Sequence, residues 1–153
     1  MAYNFNLDLS FGEQFEIVIR DYLNKISCHN YISTEGYYPD YDLYCTHCDR
    51  TVECKFDRRI SETNNFCFEI PTLQHTKAMY LFYGSADNNF VNVFRIDDLK
   101  RWLRRKVSNG RYKQRVVGEN NTKGYLVSKF DIKDEAFCDW LNIEYKQDIF
   151  KLL

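Results

Sequence analysis

Residues 39–57 read PDYDLYCTHCDRTVECKFD, and this stretch decides the fold. Pro39 disfavours helix and biases Tyr38 towards extended geometry, so 37–42 is expected to be a turn that enters a strand. Residues 42–45 are short and apolar, 46–50 have the polarity of a turn, and 51–56 resume as a strand. Together they predict a β-hairpin. Strand alternation puts Asp42 and Tyr44 on one face of the first strand, and Glu53 and Lys55 on one face of the second. Acids and a lysine therefore hold positions that a packed sheet normally gives to apolar residues.

Two carboxylates on adjacent strands can hold a hard divalent cation, with water, a backbone carbonyl and a phosphate oxygen completing its shell. The expected ion is Mg²⁺ or Mn²⁺, with the carbonyl of Cys54 as an extra ligand. Lys55 can orient or activate a water for attack on phosphorus, and its charge offsets negative charge developing on the phosphate. The competing account of the same residues is a surface hairpin with cross-strand pairs such as Asp42 with Lys55. Cys45 and Cys48 form a CxxC at the hairpin tip, but a zinc knuckle needs two more ligands. Cys28, His29, His47, Cys54 and Cys67 offer no second close pair of the usual kind, so two ordinary thiols near a turn are expected and structural Zn²⁺ is not.

Working outward, Phe11, Phe15, Val18, Ile19, Tyr22, Leu23 and Ile26 recur at helical spacing and predict a helix over 11–25. Ser10 would cap it, with Glu13 closing a capping box. Glu16 has no such structural role; it lies beside the stripe of Phe15 and Ile19, where an acid fits best facing a polar site. Downstream, 57–65 is a polar link, 66–70 a strand ended by Pro71, 72–77 a short helix or turn, and 78–83 an apolar central strand. A turn over 84–89 leads to a hairpin partner over 90–94. Asp97 and Asp98 open a basic helix whose buried side is Leu99, Trp102 and Leu103. Short strands are expected at 114–117 and 125–127 around a turn over 118–124, and a last helix over 133–143 packing through Phe137, Trp140 and Leu141.

The 153 residues suit one domain, with a core over about 11–106 and an extension over 107–153. The 44% apolar and 17% aromatic content, with six glycines and two prolines, excludes a disordered or collagen-like chain. Formal charge is −1, yet it is segregated: Lys100, Arg101, Arg104, Arg105, Lys106, Arg111, Lys113 and Arg115 occur with no acid among them. That run can clamp a phosphate backbone, with Tyr112 available to stack on a base. A solvated basic helix is the plainer alternative. No apolar run approaches the roughly 20 residues that span a bilayer, and the start lacks a basic, then apolar leader; an intracellular protein with reduced cysteines and no membrane partner is expected. GxxxxGK[ST], HExxH and GxSxG are all missing, which removes the commonest ATP-driven, zinc-protease and serine-hydrolase readings.

The order of these pieces, "GEQFEIVIRDYL", "PDYDL", "VECKFD", "NNFCFEI" and "HTKAMYLFYG", resembles the PD-(D/E)xK, or restriction-endonuclease-like, nuclease superfamily, especially its small phage and resolvase-like members. The resemblance covers about 11–106. It implies an α/β fold with a mixed central sheet flanked by helices, an αβββαβ core, divalent-metal cleavage of DNA phosphodiesters and frequent homodimers. It also implies that Asp42 and Glu53 bind metal, that Lys55 supports the nucleophilic water, and that Glu16 touches a metal-bound water or second metal. Asp40, the literal acid of the "PD" pair, remains the alternative to Asp42, and Glu13 the alternative to Glu16; Glu16 has apolar Ile19 and Leu23 three and seven positions later. Lys77 matches a basic position before the later core strand in some relatives, which implies a phosphate contact, and Glu69 an outer position that could tune the site. RNA as substrate stays open, as does a catalytically silent viral or mobile-element module that binds nucleic acid or protein.

Overall fold

A computed structural model describes residues 5–36, 38–85, 90–117 and 121–143. The first helix, α1, covers Phe5–Ile26, so Ser10 lies inside it and not at its N-terminal boundary as expected. The helix starts earlier than its apolar stripe. Phe11, Phe15 and Ile19, at successive spacings of four, are buried in one cluster. Asn24 then ties the helix end to the first strand: its side-chain amide donates to the Tyr31 carbonyl at 3.0 Å and its oxygen accepts from the Tyr31 N–H at 2.7 Å.

The strands β1 (Tyr31–Ser33), β2 (Leu43–Cys45) and β3 (Thr51–Asp57) form an antiparallel meander. The expected hairpin is present, with Leu43 opposite Val52 and Tyr44 opposite Thr51. The short helix α2 (Ile60–Thr63) follows, then β4 (Asn65–Glu69) and helix α3 (Ile70–His75), which has Pro71 in its first turn, where a missing N–H costs nothing. The chain returns as β5 (Tyr80–Ser85), parallel to β3, and continues into antiparallel β6 (Phe90–Arg95); 86–89, most of the expected turn, lies outside the described residues. Helix α4 (Ile96–Ser108) buries Ile96, Leu99, Trp102 and Leu103.

Next come β7 (Arg115–Val116), β8 (Lys123–Ser128), helix α5 (Lys129–Ile132) and β9 (Cys138–Asn142). The turn expected over 118–124 falls partly outside the described residues, at 118–120. Where a helix was expected over 133–143, the chain forms β9, antiparallel to β6. The open edge of β6 offers a ladder of backbone partners from Phe90 to Phe94, and satisfying it outweighs the local helical periodicity. Trp140 is consequently exposed and meets Phe90 edge-to-face at 5.1 Å, while Phe137 is buried.

Among the described residues, the central mixed sheet has the order β1-β2-β3-β5-β6-β9, and a second sheet has the order β4-β8-β7. Alternation along β5 divides the interior. Phe82 joins Val52, Val91 and Leu43 in the cluster against α1, whereas Leu81 and Tyr83 join Phe94, the α4 residues and Phe66 and Phe68 of the second sheet. The result is a mixed α/β fold in which helices flank a central sheet. No described helix is long and apolar enough to cross a membrane.

Candidate active site and cysteine cluster

The β2–β3 register places the α1 side of the hairpin in the hands of Leu43, Val52 and Cys45, all buried there. Asp42 and Glu53, offset by one residue, belong to the opposite parity. Asp42 stands just before β2, and its Oδ2 accepts the Cys54 N–H at 2.7 Å. The Cys54 N–H thus fixes the Asp42 carboxylate across the hairpin, a different role from the metal-ligating carbonyl expected of this residue. Glu53 Oε2 accepts from the Thr76 hydroxyl at 3.4 Å, and the same hydroxyl lies 3.0 Å from the Asp40 carbonyl. Thr76 is buried and also accepts the Ala78 N–H at 3.1 Å, so it locks the approach to β5 against the hairpin. Nothing in the sequence marks it, because a threonine after a short helix reads as a turn residue.

Three carboxyls share this region. Burial lifts Asp42 to about 6, against the pull of the Cys54 N–H. Burial and the Asp42 charge lift Glu53 to about 8, with the Thr76 hydroxyl opposing and Glu16 adding to the rise. Glu16, also by burial, then by Asp42 and Glu13, is lifted to about 7. Burial raises the Cys54 thiol well above its usual value. In this poorly solvated space Glu53, and in part Glu16, hold protons at neutral pH that exposed carboxyls would lose, while Asp42 is largely ionised.

Lys55, on the same strand parity as Glu53, directs its ammonium to Glu69 Oε1 at 3.3 Å. Glu53, Lys55, Glu69, Cys67, Thr72 and Leu73 line one side of a cavity of about 300 Å³. Glu69 and Lys55 are therefore brought together, which the sequence did not pair. Asp40 is engaged elsewhere, 3.4 Å from exposed Lys77 Nζ, so the two aspartates of the "PD" stretch have different surroundings. Glu13 is exposed on α1. Further along β3, the Tyr83 hydroxyl donates to Asp57 and accepts the Cys67 N–H at 3.0 Å, joining β3, β4 and β5.

The basic residues spread over a different element. Arg101 pairs with Asp98, and Lys106 Nζ sits 5.6 Å over the Trp102 ring. Arg101, Arg104 and Arg105 line an open surface concavity with Ser108 and Asn109. Arg111 pairs with Asp131 at 2.8 Å; Lys113 and Arg115 are exposed. Tyr112 is not the free stacking ring that was expected: its hydroxyl is hydrogen-bonded to Asp131, and its ring packs beside Trp102.

The metal expectations need correction. Among the described residues, the single group of three candidate ligands whose donor atoms all lie within 4.8 Å of one another is His29, Cys45 and Cys48. Imidazole and thiolate donors suit zinc and not Mg²⁺ or Mn²⁺, and the carboxyls of Glu16, Asp42 and Glu53 do not converge that closely. The sequence did contain the signal: Cys28-His29 immediately precedes β1, and the pairing of Tyr31 with Cys45 brings it beside the CxxC.

No protein-family model matches the chain, and no significant match to a curated protein or a solved structure is found.

Proposed function

We propose that the protein hydrolyses phosphodiester bonds within DNA in a reaction that requires a divalent cation. The observation that carries this reading is the gathering of Glu16, Asp42 and Glu53, three carboxyls whose proton affinities are all raised by burial, those of Glu16 and Glu53 also by the Asp42 charge. Such a group is electrostatically incomplete at neutral pH, and a cation arriving with a phosphate diester would replace the retained protons. The mixed central sheet flanked by helices is compatible with the reading, although the connection from β3 to parallel β5 runs through α2, β4 of the second sheet and α3 instead of the single helix of an αβββαβ core.

When bound, the cation supplies positive charge to the scissile phosphate. The chain's own residues do the remainder. Asp42 is held by the Cys54 N–H, and Glu53 by Thr76, so both carboxylates are positioned before substrate arrives. Lys55, released from or shared with Glu69, holds the attacking water and offsets charge on the phosphate oxygens. The exposed arginines of α4 bind the neighbouring backbone.

The test is a cleavage panel with duplex, single-stranded, forked and four-way DNA and a matched RNA, each incubated with a series of divalent cations and with chelator. Wild type is expected to cut DNA only when a cation is supplied, and Glu53→Gln and Lys55→Ala to lose at least about 100-fold in rate while keeping wild-type circular dichroism, a loss in the range of general-base contributions. Undiminished cleavage by Glu53→Gln, or no cleavage of any substrate by wild type, overturns the proposal. Binding without cleavage would establish the silent nucleic-acid-binding module instead.

A further inference from the structure

We infer that His29, Cys45 and Cys48 form a binding site for a thiophilic divalent cation of the zinc class, clamping the α1–β1 junction to the tip of the β2–β3 hairpin. The donor atoms of all three lie within 4.8 Å of one another, and Cys45 Sγ is 3.6 Å from His29 Nδ1. Tetrahedral zinc places its ligands at about this mutual separation, given bonds of about 2.0–2.3 Å. Little rearrangement is therefore needed to admit the ion.

The backbone around the three donors is already fixed. The Thr46 N–H donates to the Asn30 carbonyl at 2.9 Å, and Asn30 Nδ2 to Thr46 Oγ1 at 3.1 Å. His47 Nδ1 lies 3.3 Å from the Cys28 carbonyl, turning the second histidine away from the cluster and towards the opposite loop. The hairpin turn itself is closed by the Cys45 N–H to the Arg50 carbonyl at 3.0 Å. These bonds connect the segment carrying His29 to the segment carrying the two thiols. A metal would add a covalent-strength link to these hydrogen bonds and to the packing of Tyr31 and Cys45 in the cluster against α1.

Burial suits the role. Cys45 is buried, while Cys48 and His29 are half-buried, so an ion can enter from solvent and be shielded once bound. All the described cysteines are free thiols, as thiolate coordination requires. Cys28, exposed and directly before His29, is the adjacent thiol to which the fourth coordination position is open; water fills it otherwise. The cluster is separate from the carboxyls of the proposed hydrolytic site, and its donors are softer than theirs.

The experiment uses the full chain purified under reducing conditions. Elemental analysis should find one zinc per chain, and cobalt substitution should give the visible bands of a tetrahedral site with sulfur-to-metal charge transfer. Cys48→Ser and His29→Ala should each reduce retained zinc to background during dialysis against a moderate chelator, whereas Cys67→Ser should retain it fully. Cys45→Ser tests the buried ligand and is paired with Cys48→Ser because loss of a core thiol can itself unfold the chain. A Cys28→Ser protein that keeps its zinc but loses charge-transfer intensity identifies Cys28 as the fourth ligand; unchanged intensity identifies water, and both agree with the site. Wild type that takes up neither zinc nor cobalt, full zinc retention in folded Cys48→Ser, or conversion of Cys45 and Cys48 to a disulfide with no metal uptake by the reduced form overturns the inference. None of these readouts depends on nuclease activity.

Discussion

Replacing Glu53 by glutamine should stabilise the cation-free protein at neutral and alkaline pH and have almost no effect near pH 4.5. Burial and the Asp42 charge lift the Glu53 carboxyl from 4.5 to about 8. In the unfolded chain the group titrates near its ordinary value, so across that window the folded protein holds a proton that the unfolded chain has released. Stability consequently falls as pH rises from about 4.5, and levels off above about 8. Each unit corresponds to about 1.4 kcal/mol, which makes the cost roughly 3 kcal/mol at pH 7 and on the order of 5 kcal/mol above pH 8. Glutamine keeps the shape and an acceptor for the Thr76 hydroxyl but escapes this cost. A gain of roughly 3 kcal/mol is a sizeable part of a typical domain's stability and raises the thermal midpoint by about 6–12 °C for a chain of this length.

Urea denaturation in the presence of chelator, at pH 5 and pH 8, measures the effect directly. The variant should show a higher midpoint at pH 8, nearly the wild-type midpoint at pH 5, and an unchanged slope at both. Adding a divalent cation at pH 8 should then stabilise wild type more than the variant, because only wild type regains a full negative site. Equal stability at pH 8, or a gain that is the same at both pH values, would refute the argument that crowding of the carboxyls raises Glu53.

Other outcomes follow from the same geometry. Nuclease rate at subsaturating cation should rise with pH through the range from about 6 to about 8 set by Asp42, Glu16 and Glu53, and its midpoint should move lower as cation is increased; a flat profile would separate catalysis from these acids. Arg104→Ala with Arg105→Ala should weaken duplex binding and flatten the dependence of log K on log salt by about 1.8, at about 0.9 per lost phosphate contact, as measured by fluorescence anisotropy. Gly84→Ala should lower stability by about 1–3 kcal/mol in denaturant titration, since its new methyl would overlap the edge of the fully buried Phe15 ring.

The central hairpin was legible because two kinds of signal agreed: the strand patterns on either side of a polar turn, and the parity that set Asp42 and Glu53 apart from Leu43 and Val52. Helix α4 was legible for a similar reason, its apolar residues recurring along one face. The C-terminal strand was not. Phe137, Trp140 and Leu141 satisfy a helical spacing, and the deciding partner, the open edge of β6, lies more than 40 residues away. The pairing of β4 with β8, which builds the second sheet, is likewise a long-range choice that neither segment announces. The cysteine cluster failed by the same route: CxxC was visible, but its third ligand comes from the loop before β1 and reaches it only through the β1–β2 register.

At the carboxyl site the sequence identified the residue types and the structure supplies the reason that they matter. Asp42 and Glu53 would be ordinary surface acids if the hairpin were exposed on both faces, and each would then lose its proton freely. Burial, with Thr76 holding the approach to β5 against the hairpin, removes that freedom, while Lys55 spends its charge partly on Glu69 and cannot neutralise all three acids. On the proposed function, protons and an added cation would compete for the same carboxylates. Two measurements that look separate, the pH dependence of stability without cation and the pH dependence of cleavage with it, report this one competition and should shift together when Glu53 is neutralised.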